Sequence, residues 1–144
     1  MANITAADLL ARKSRVLYSI GPDEPVLEAV RLMATHGVGA LLVLNEQGLA
    51  GIVSERDYAR KVVLLGRSSD ETPVWQIMSA PVVSVGGSES IDGCMRLMTE
   101  RRVRHLPVVE RGRVLGMLSI GDLVKAVIDD QKQTIEQLTA YITQ

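Results

Sequence analysis

The sequence predicts an α/β (α+β) fold: two β-α-β-β-α repeats packed with pseudo-two-fold symmetry, followed by a C-terminal helix. Three observations carry that prediction: an internal repeat, the order of apolar periods within each copy, and a length that suits one shared core. Residues 16–63 superpose without gaps on residues 81–128 at a constant offset of 65. The offset pairs Ser19 with Ser84, Gly21 with Gly86, Glu24 with Glu89, and Arg31-Leu32-Met33 with Arg96-Leu97-Met98. It continues through Val38 and Val103, Leu41 and Leu106, Val43 and Val108, Gly51 and Gly116, Ser54 and Ser119, and Asp57 and Asp122. Such gapless agreement is duplication. A unit of about 50 residues buries too little apolar surface to stand alone, so the copies are expected to pack together.

Each copy opens with an extended stretch, Val16–Ile20 and Val82–Val85, that meets a turn rich in Gly, Pro, Asp and Ser. A helix follows in each. Val26, Val30 and Met33, and likewise Ile91, Met95 and Met98, recur at i, i+4 and i+7 and mark one apolar face. Asp23 and Ser88 are the expected N-caps. Two β-rich runs come next, Ala40–Leu44 with Leu49–Ser54 and His105–Val109 with Val114–Ser119, joined by polar, Gly-containing loops of hairpin length. A second helix begins near Glu55 and near Ile120. Ahead of each repeat lies a short helix. Thr5 and Asp8 form a capping pair in the first, and Thr72 caps the second with Pro73 at its first position.

These signals place repeat 1 at residues 5–65, repeat 2 at 72–130 and a helical extension at 131–144. From the end of repeat 2 through the extension, Ile128, Ile135 and Ile142, with Gln131 and Leu138 between them, alternate at spacings of three and four. That stripe suits a helix docked on its own core or one packed on a second copy of the chain. Trp75 is a candidate for burying the inter-repeat helix or for a dimer face. Met33, Met78, Met95, Met98 and Cys94 read as core.

Composition narrows the function classes. The 144 residues carry a net charge of −1 with acids and bases interspersed, so no global attraction to nucleic acid or anionic lipid is expected. Aromatics make up 3% and Phe is absent, which leaves an aliphatic core and no stacking platform for single-stranded nucleic acid. One cysteine cannot form an internal disulfide, and no signal segment or membrane-length apolar run is visible, so a cytoplasmic location is expected. The two histidines and Cys94 lack metal-ligand spacing. His36 suits a helix C-terminus as a cation, and Gly37-Val-Gly39 reads as a helix cap leading into a strand.

The residues that could carry function recur in both copies: Gly51-Ile-Val-Ser54-Glu-Arg-Asp57 and Gly116-Met-Leu-Ser119-Ile-Gly-Asp122. Each lies where a strand ends and a helix begins. Ser-x-x-Asp there is close to a capping box, which alone would explain both copies. The same turn also suits a ligand. Its carboxylate can accept two hydrogen bonds from a ribose diol, and its free amides and dipole suit a phosphate.

This pattern, set in a tandem β-α-β-β-α repeat, resembles the CBS-domain pair, or Bateman module, over nearly all of residues 5–130. The resemblance implies a regulatory module that binds AMP, the first choice, or ADP, ATP, NAD or S-adenosylmethionine in clefts between the repeats, without catalysis or a catalytic cofactor. It implies one site with Asp57 on ribose, Ser54 beside ribose or phosphate, Arg56 near phosphate, and Ser19, Ile20 and Leu41 near the base. The other would use Asp122 and Ser119, with Arg104 and His105 near phosphate and Ser84, Val85 and Leu106 near the base. Repeat 1 has Gly39-Ala40 where repeat 2 has Arg104-His105, so the two sites differ. The resemblance also implies a homodimer acting on a separate effector protein, with no nucleic-acid or membrane partner.

Two other readings compete. A scaffold whose sites have lost their ligand would dimerise through helical faces. An enzyme could be imagined with Asp57 and Asp122 as paired acids, or with Ser119, His105 and Asp122 as a triad. Neither set comes with an oxyanion hole, nucleophile elbow or P-loop, and duplicated motifs suit duplicate binding better than divided acid and base roles.

Overall fold

The computed structural model describes residues 4–13 and 16–143. In chain order its elements are α1 (Ala6–Ala11), β1 (Ser19–Ile20), α2 (Val26–His36), β2 (Ala40–Asn45), β3 (Gly48–Ser54) and α3 (Glu55–Tyr58). A π-helical turn at Ala59–Val63 extends α3, and a 3₁₀ turn follows at Val74–Gln76. Then come α4 (Ile91–Arg101), β4 (His105–Glu110), β5 (Arg113–Ser119) and α5 (Ile120–Thr143). Contacts divide the chain into residues 16–83, the repeat-1 unit, and residues 1–15 with 84–144, the repeat-2 unit. The short segment ahead of each repeat thus packs with the other repeat.

Backbone bonds explain that exchange. In the repeat-1 unit Val74 N donates to Glu24 O (2.9 Å), Trp75 N to Pro22 O (3.0 Å) and Val26 N to Thr72 O (2.8 Å). In the repeat-2 unit Ala6 N donates to Glu89 O (2.8 Å), Ala7 N to Gly87 O (2.9 Å) and Ile91 N to Ile4 O (3.2 Å). The bridges they form, Pro25 with Pro73 and Thr5 with Ser90, hold the chain extended up to the helix start. This moves two expected caps. Pro25, not Asp23, takes the N-cap of α2, without a side-chain bond. Ser90, not Ser88, caps α4 by accepting from Gly93 N at 3.0 Å. Pro73 likewise takes the cap position expected for Thr72, which is buried in the bridge instead. The Thr5–Asp8 box forms as read: Asp8 N donates to Thr5 Oγ1 (3.2 Å) and Thr5 N to Asp8 Oδ2 (2.9 Å).

The repeat-1 sheet has the order β1-β2-β3, with β1 parallel and β3 antiparallel to β2. β4 and β5 form the matching antiparallel pair. Duplication extends to register: Ala40 faces Ser54 as His105 faces Ser119, and both ladders slip after the same position, Val43 and Val108. The first strand is the exception. Leu42 N donates to Tyr18 O at 3.1 Å, but Pro107 stands at the matching position and has no N–H to give. The predicted strand Val82–Val85 therefore shrinks to one bridge between Val85 and Val108.

In the repeat-1 unit Ile20, Val26, Ala29, Met33, Leu41, Val43, Val53, Val62, Val74 and Ile77 form a continuous core. In the repeat-2 unit α1 packs on β5 and α4 on α5, with Leu9, Ile91, Cys94, Met98, Leu106, Leu118 and Leu123 buried. Met78 and Met95 are half-buried, whereas Met33 and Met98 are core as read. Trp75 is 51% exposed and does not bury the turn that carries it; Val74 and Ile77 do. Gly37 caps α2 in the left-handed conformation (φ 65°). Repeat 2's second helix and the C-terminal extension are one helix, α5. Its residues 131–143 are all exposed, so the extension does not dock on its own core.

Candidate functional site

The two Ser-x-x-Asp turns have nearly the same local geometry. At the first, Asp57 N donates to Ser54 Oγ (3.1 Å), while Ser54 N and Ser54 Oγ both donate to Asp57 Oδ2 (3.0 Å each). At the second, Asp122 N donates to Ser119 Oγ (3.2 Å) and Ser119 N to Asp122 Oδ2 (2.8 Å). The capping box expected from sequence is therefore present twice. It also uses up donors. Ser54 N and Asp57 N are committed to the box, and Glu55 N donates to Gly39 O (3.0 Å). Ile120 N does the same to Arg104 O (2.9 Å). The expectation of several free amides at this turn is corrected: the box side chains take two of them and the backbone behind the turn takes a third.

Each aspartate also holds a lysine that sequence reading missed. Lys61 Nζ lies 3.1 Å from Asp57 Oδ1 and donates to Ile77 O at 2.9 Å. Lys13 Nζ lies 2.7 Å from Asp122 Oδ2 and donates to Met117 O at 2.8 Å. Lys61 stands at i+4 from Asp57, a spacing visible in the sequence. Nothing in the sequence near Asp122 signals Lys13, 109 positions away. Ser79 Oγ also approaches Asp57 Oδ1, at 3.4 Å. The side chain of Asp57 is 12% exposed and that of Asp122 25%. Burial works to raise the Asp122 pKa, but the bonds from Lys13 and Ser119 outweigh it and hold the carboxyl below its ordinary value.

The remaining expected site residues divide by burial. Ile20 and Leu41 belong to the repeat-1 core, and Val85 and Leu106 are buried in the repeat-2 unit. Ser19, Ser84 and Arg104 are exposed; Arg56 and His105 are half-buried. The structure thus brings Ser54, Arg56 and Asp57 to one turn and Ser119, Asp122, Arg104 and His105 to the other strand-helix junction. His36 stacks on Tyr18 with ring centroids 4.0 Å apart. A groove of about 400 Å³ in the repeat-1 unit is lined by Val30, Met33, Ala34, Gly37, Val38, Glu55 and Tyr58, none of them an expected site residue. Among the described residues no His, Cys, Asp and Glu cluster could hold a metal ion, and no helix is long and apolar enough to cross a membrane.

The description "CBS domain" fits residues 4–64 and 74–129 by family model. The chain belongs to the CBS-domain family. Its two matched segments make it a tandem CBS pair, and such pairs are as a rule regulatory modules rather than enzymes. The mitochondrial CBS domain-containing protein CBSX3 of Arabidopsis thaliana is 42% identical over 83% of this chain and 61% of its own length. This chain therefore spans less than two thirds of that relative. A candidate signal-transduction protein with CBS domains from Burkholderia ambifaria MC40-6 is 53% identical, with a TM-score of 0.85 over 88% of this chain and 96% of that one. A hexameric CBS-CP12 protein from bloom-forming cyanobacteria is 26% identical, with a TM-score of 0.78 over 86% of this chain and 68% of that one.

Proposed function

We propose that this CBS pair is a non-catalytic sensor that binds an adenosine nucleotide, AMP in the first instance, and passes the binding event to a separate effector protein. ADP, ATP, NAD and S-adenosylmethionine are the competing ligands. The observation that carries this reading is the twice-built Ser-x-x-Asp turn. It presents a carboxylate at a strand-helix junction, the acceptor that a vicinal ribose diol requires. Ser54 and Asp57, with Arg56 beside them, serve the repeat-1 unit. Ser119 and Asp122, with Arg104 and His105 at the end of the neighbouring strand, serve the repeat-2 unit. Ser19, Ile20 and Leu41, and Ser84, Val85 and Leu106, supply the strand surface for the base. Because Ile20, Leu41, Val85 and Leu106 are buried, their contribution is to hold that surface in shape.

The module acts as a homodimer in the same proposal. Ile135, Leu138, Tyr141 and Ile142 are 58–80% exposed on α5, an apolar stripe that a second copy of the chain would cover. The hexameric CBS-CP12 neighbour is a protein of this fold that assembles. Location in the cytoplasm belongs to this proposal too. A thermal-shift panel with AMP, ADP, ATP, NAD and S-adenosylmethionine tests the ligand, with native mass spectrometry reporting anything already bound. A ligand at 100 times its dissociation constant adds about 2.7 kcal/mol of stability. No response from protein shown to be empty would favour the scaffold reading instead.

A further inference from the structure

The two motif turns differ in how a lysine reaches the carboxylate. In the repeat-1 unit the carbonyl of Ile52 accepts from Ser79 N (2.8 Å), and Ile52 N donates back to Ser79 O (3.1 Å). This is a two-way backbone bridge, and the same residue brings its hydroxyl toward Asp57. In the repeat-2 unit the equivalent carbonyl, Met117 O, accepts from the side chain of Lys13 (2.8 Å), whose amine also pairs with Asp122 (2.7 Å). Lys13 thus ties the strand-edge carbonyl to Asp122, whereas the lysine on Asp57, Lys61, bonds Ile77 O instead. A side chain can swing away through its own rotamers, whereas the Ser79 bridge can open only by moving the chain.

Geometry at the carboxylate sharpens the difference. Asp122 Oδ2 accepts from Ser119 N (2.8 Å) and from Lys13 Nζ (2.7 Å), which fills both of its lone-pair positions. A vicinal diol that grips both carboxylate oxygens needs one of these positions back. Ser119 N is fixed by the turn, so Lys13 is the partner that leaves. At 25% exposed, Asp122 is also easier to reach than Asp57, at 12%.

We infer that Lys13 sets the affinity of the repeat-2 motif for nucleosides, as an exchangeable cation that a ribose diol must displace from Asp122. This rests on the nucleotide-binding reading above. Removing the amine leaves Asp122 poised for the diol, so the variant binds more tightly, a gain that mere loss of structure does not produce.

The test is calorimetry of adenosine and of AMP into the wild-type chain, Lys13→Met, Lys13→Gln and Asp122→Ala. Adenosine isolates the diol, since it has no phosphate for Lys13 to contact. A partly exposed ion pair contributes little, so the expected gain is modest: about fivefold tighter adenosine binding in both Lys13 variants. Asp122→Ala should lose the repeat-2 component of adenosine binding, leaving at most binding at the Asp57 turn. Unchanged or weaker adenosine binding in both Lys13 variants, with AMP still binding the wild type, overturns the inference alone. Absence of binding by adenosine and AMP in the wild type and both Lys13 variants defeats the nucleotide reading, and the inference with it.

Discussion

Gly51 and Gly116 look like part of a ligand motif, yet their environment gives each a packing reason. A Cβ on Gly51 would lie 2.7 Å from Met78 Sδ and 3.0 Å from the carbonyl of Ser79. A Cβ on Gly116 would lie 2.7 Å from Leu10 Cδ2, its three nearest atoms all in the Leu10 side chain. Leu10 can rotate away; the Ser79 backbone is pinned by its bridge to Ile52. Gly51→Ala should therefore cost about 1–3 kcal/mol and Gly116→Ala clearly less, measured by urea unfolding. Equal losses would contradict this account. Cys94 lies fully buried, and burial with nearby Glu89 pushes its thiol up to about 11. It should resist alkylation in the native state at pH 8 and react only on unfolding. Asp122 gives a pH signature. Its carboxyl is depressed in the folded chain, so its pair with Lys13 stabilises fully above the unfolded value near 4 and fades as pH falls through the folded one. The stability gap between wild type and Lys13→Met should shrink as pH drops below about 4; a gap that persists in acid would show that Lys13 acts by packing alone.

At the scale of elements, the hairpins and the second helices were legible because their signals are local: β-rich runs, Gly-bearing turns and Ser-x-x-Asp starts. What sequence reading misplaced depends on distant partners. Asp23 and Ser88 are chemically good caps, but the Pro25–Pro73 and Thr5–Ser90 bridges keep the chain extended past them. Repeat 2's first strand looks as good as repeat 1's until Pro107, on another strand, fails to donate. Lys13 was out of reach for the same reason, while Lys61 sat at readable helical spacing. The distal half of α5 shows the opposite case, where an apolar stripe was visible but its partner was not. Deleting residues 131–144 should leave the unfolding free energy of the monomer within about 0.5 kcal/mol, since surface residues contribute little. Dimer formation in sedimentation velocity should weaken. An unchanged sedimentation profile would contradict a dimer formed through α5.

For the whole molecule, duplication is the fact from which the rest follows. The same register, the same slipped position and the same capping box recur, and the segment ahead of each repeat completes the other unit. Such an arrangement supplies two related acceptor turns, and small departures from symmetry make them unequal. Pro107, Arg104-His105 and the different carbonyls that Lys13 and Lys61 tie to their aspartates are those departures. The carboxylates that sequence singled out do stand at strand-helix junctions, but the aliphatic residues expected beside the base are core. Leu41→Ala or Leu106→Ala would cost about 2–5 kcal/mol and report on folding more than on ligand. The aspartates are the cleaner probes. The decisive measurement is isothermal titration of AMP into the wild-type chain, Asp57→Ala and Asp122→Ala, each checked for folding by circular dichroism. Saturable binding to the wild type that is lost in at least one folded aspartate variant is the predicted result. AMP binding that survives unchanged in both variants would contradict the assignment of the ribose to the Ser-x-x-Asp turns.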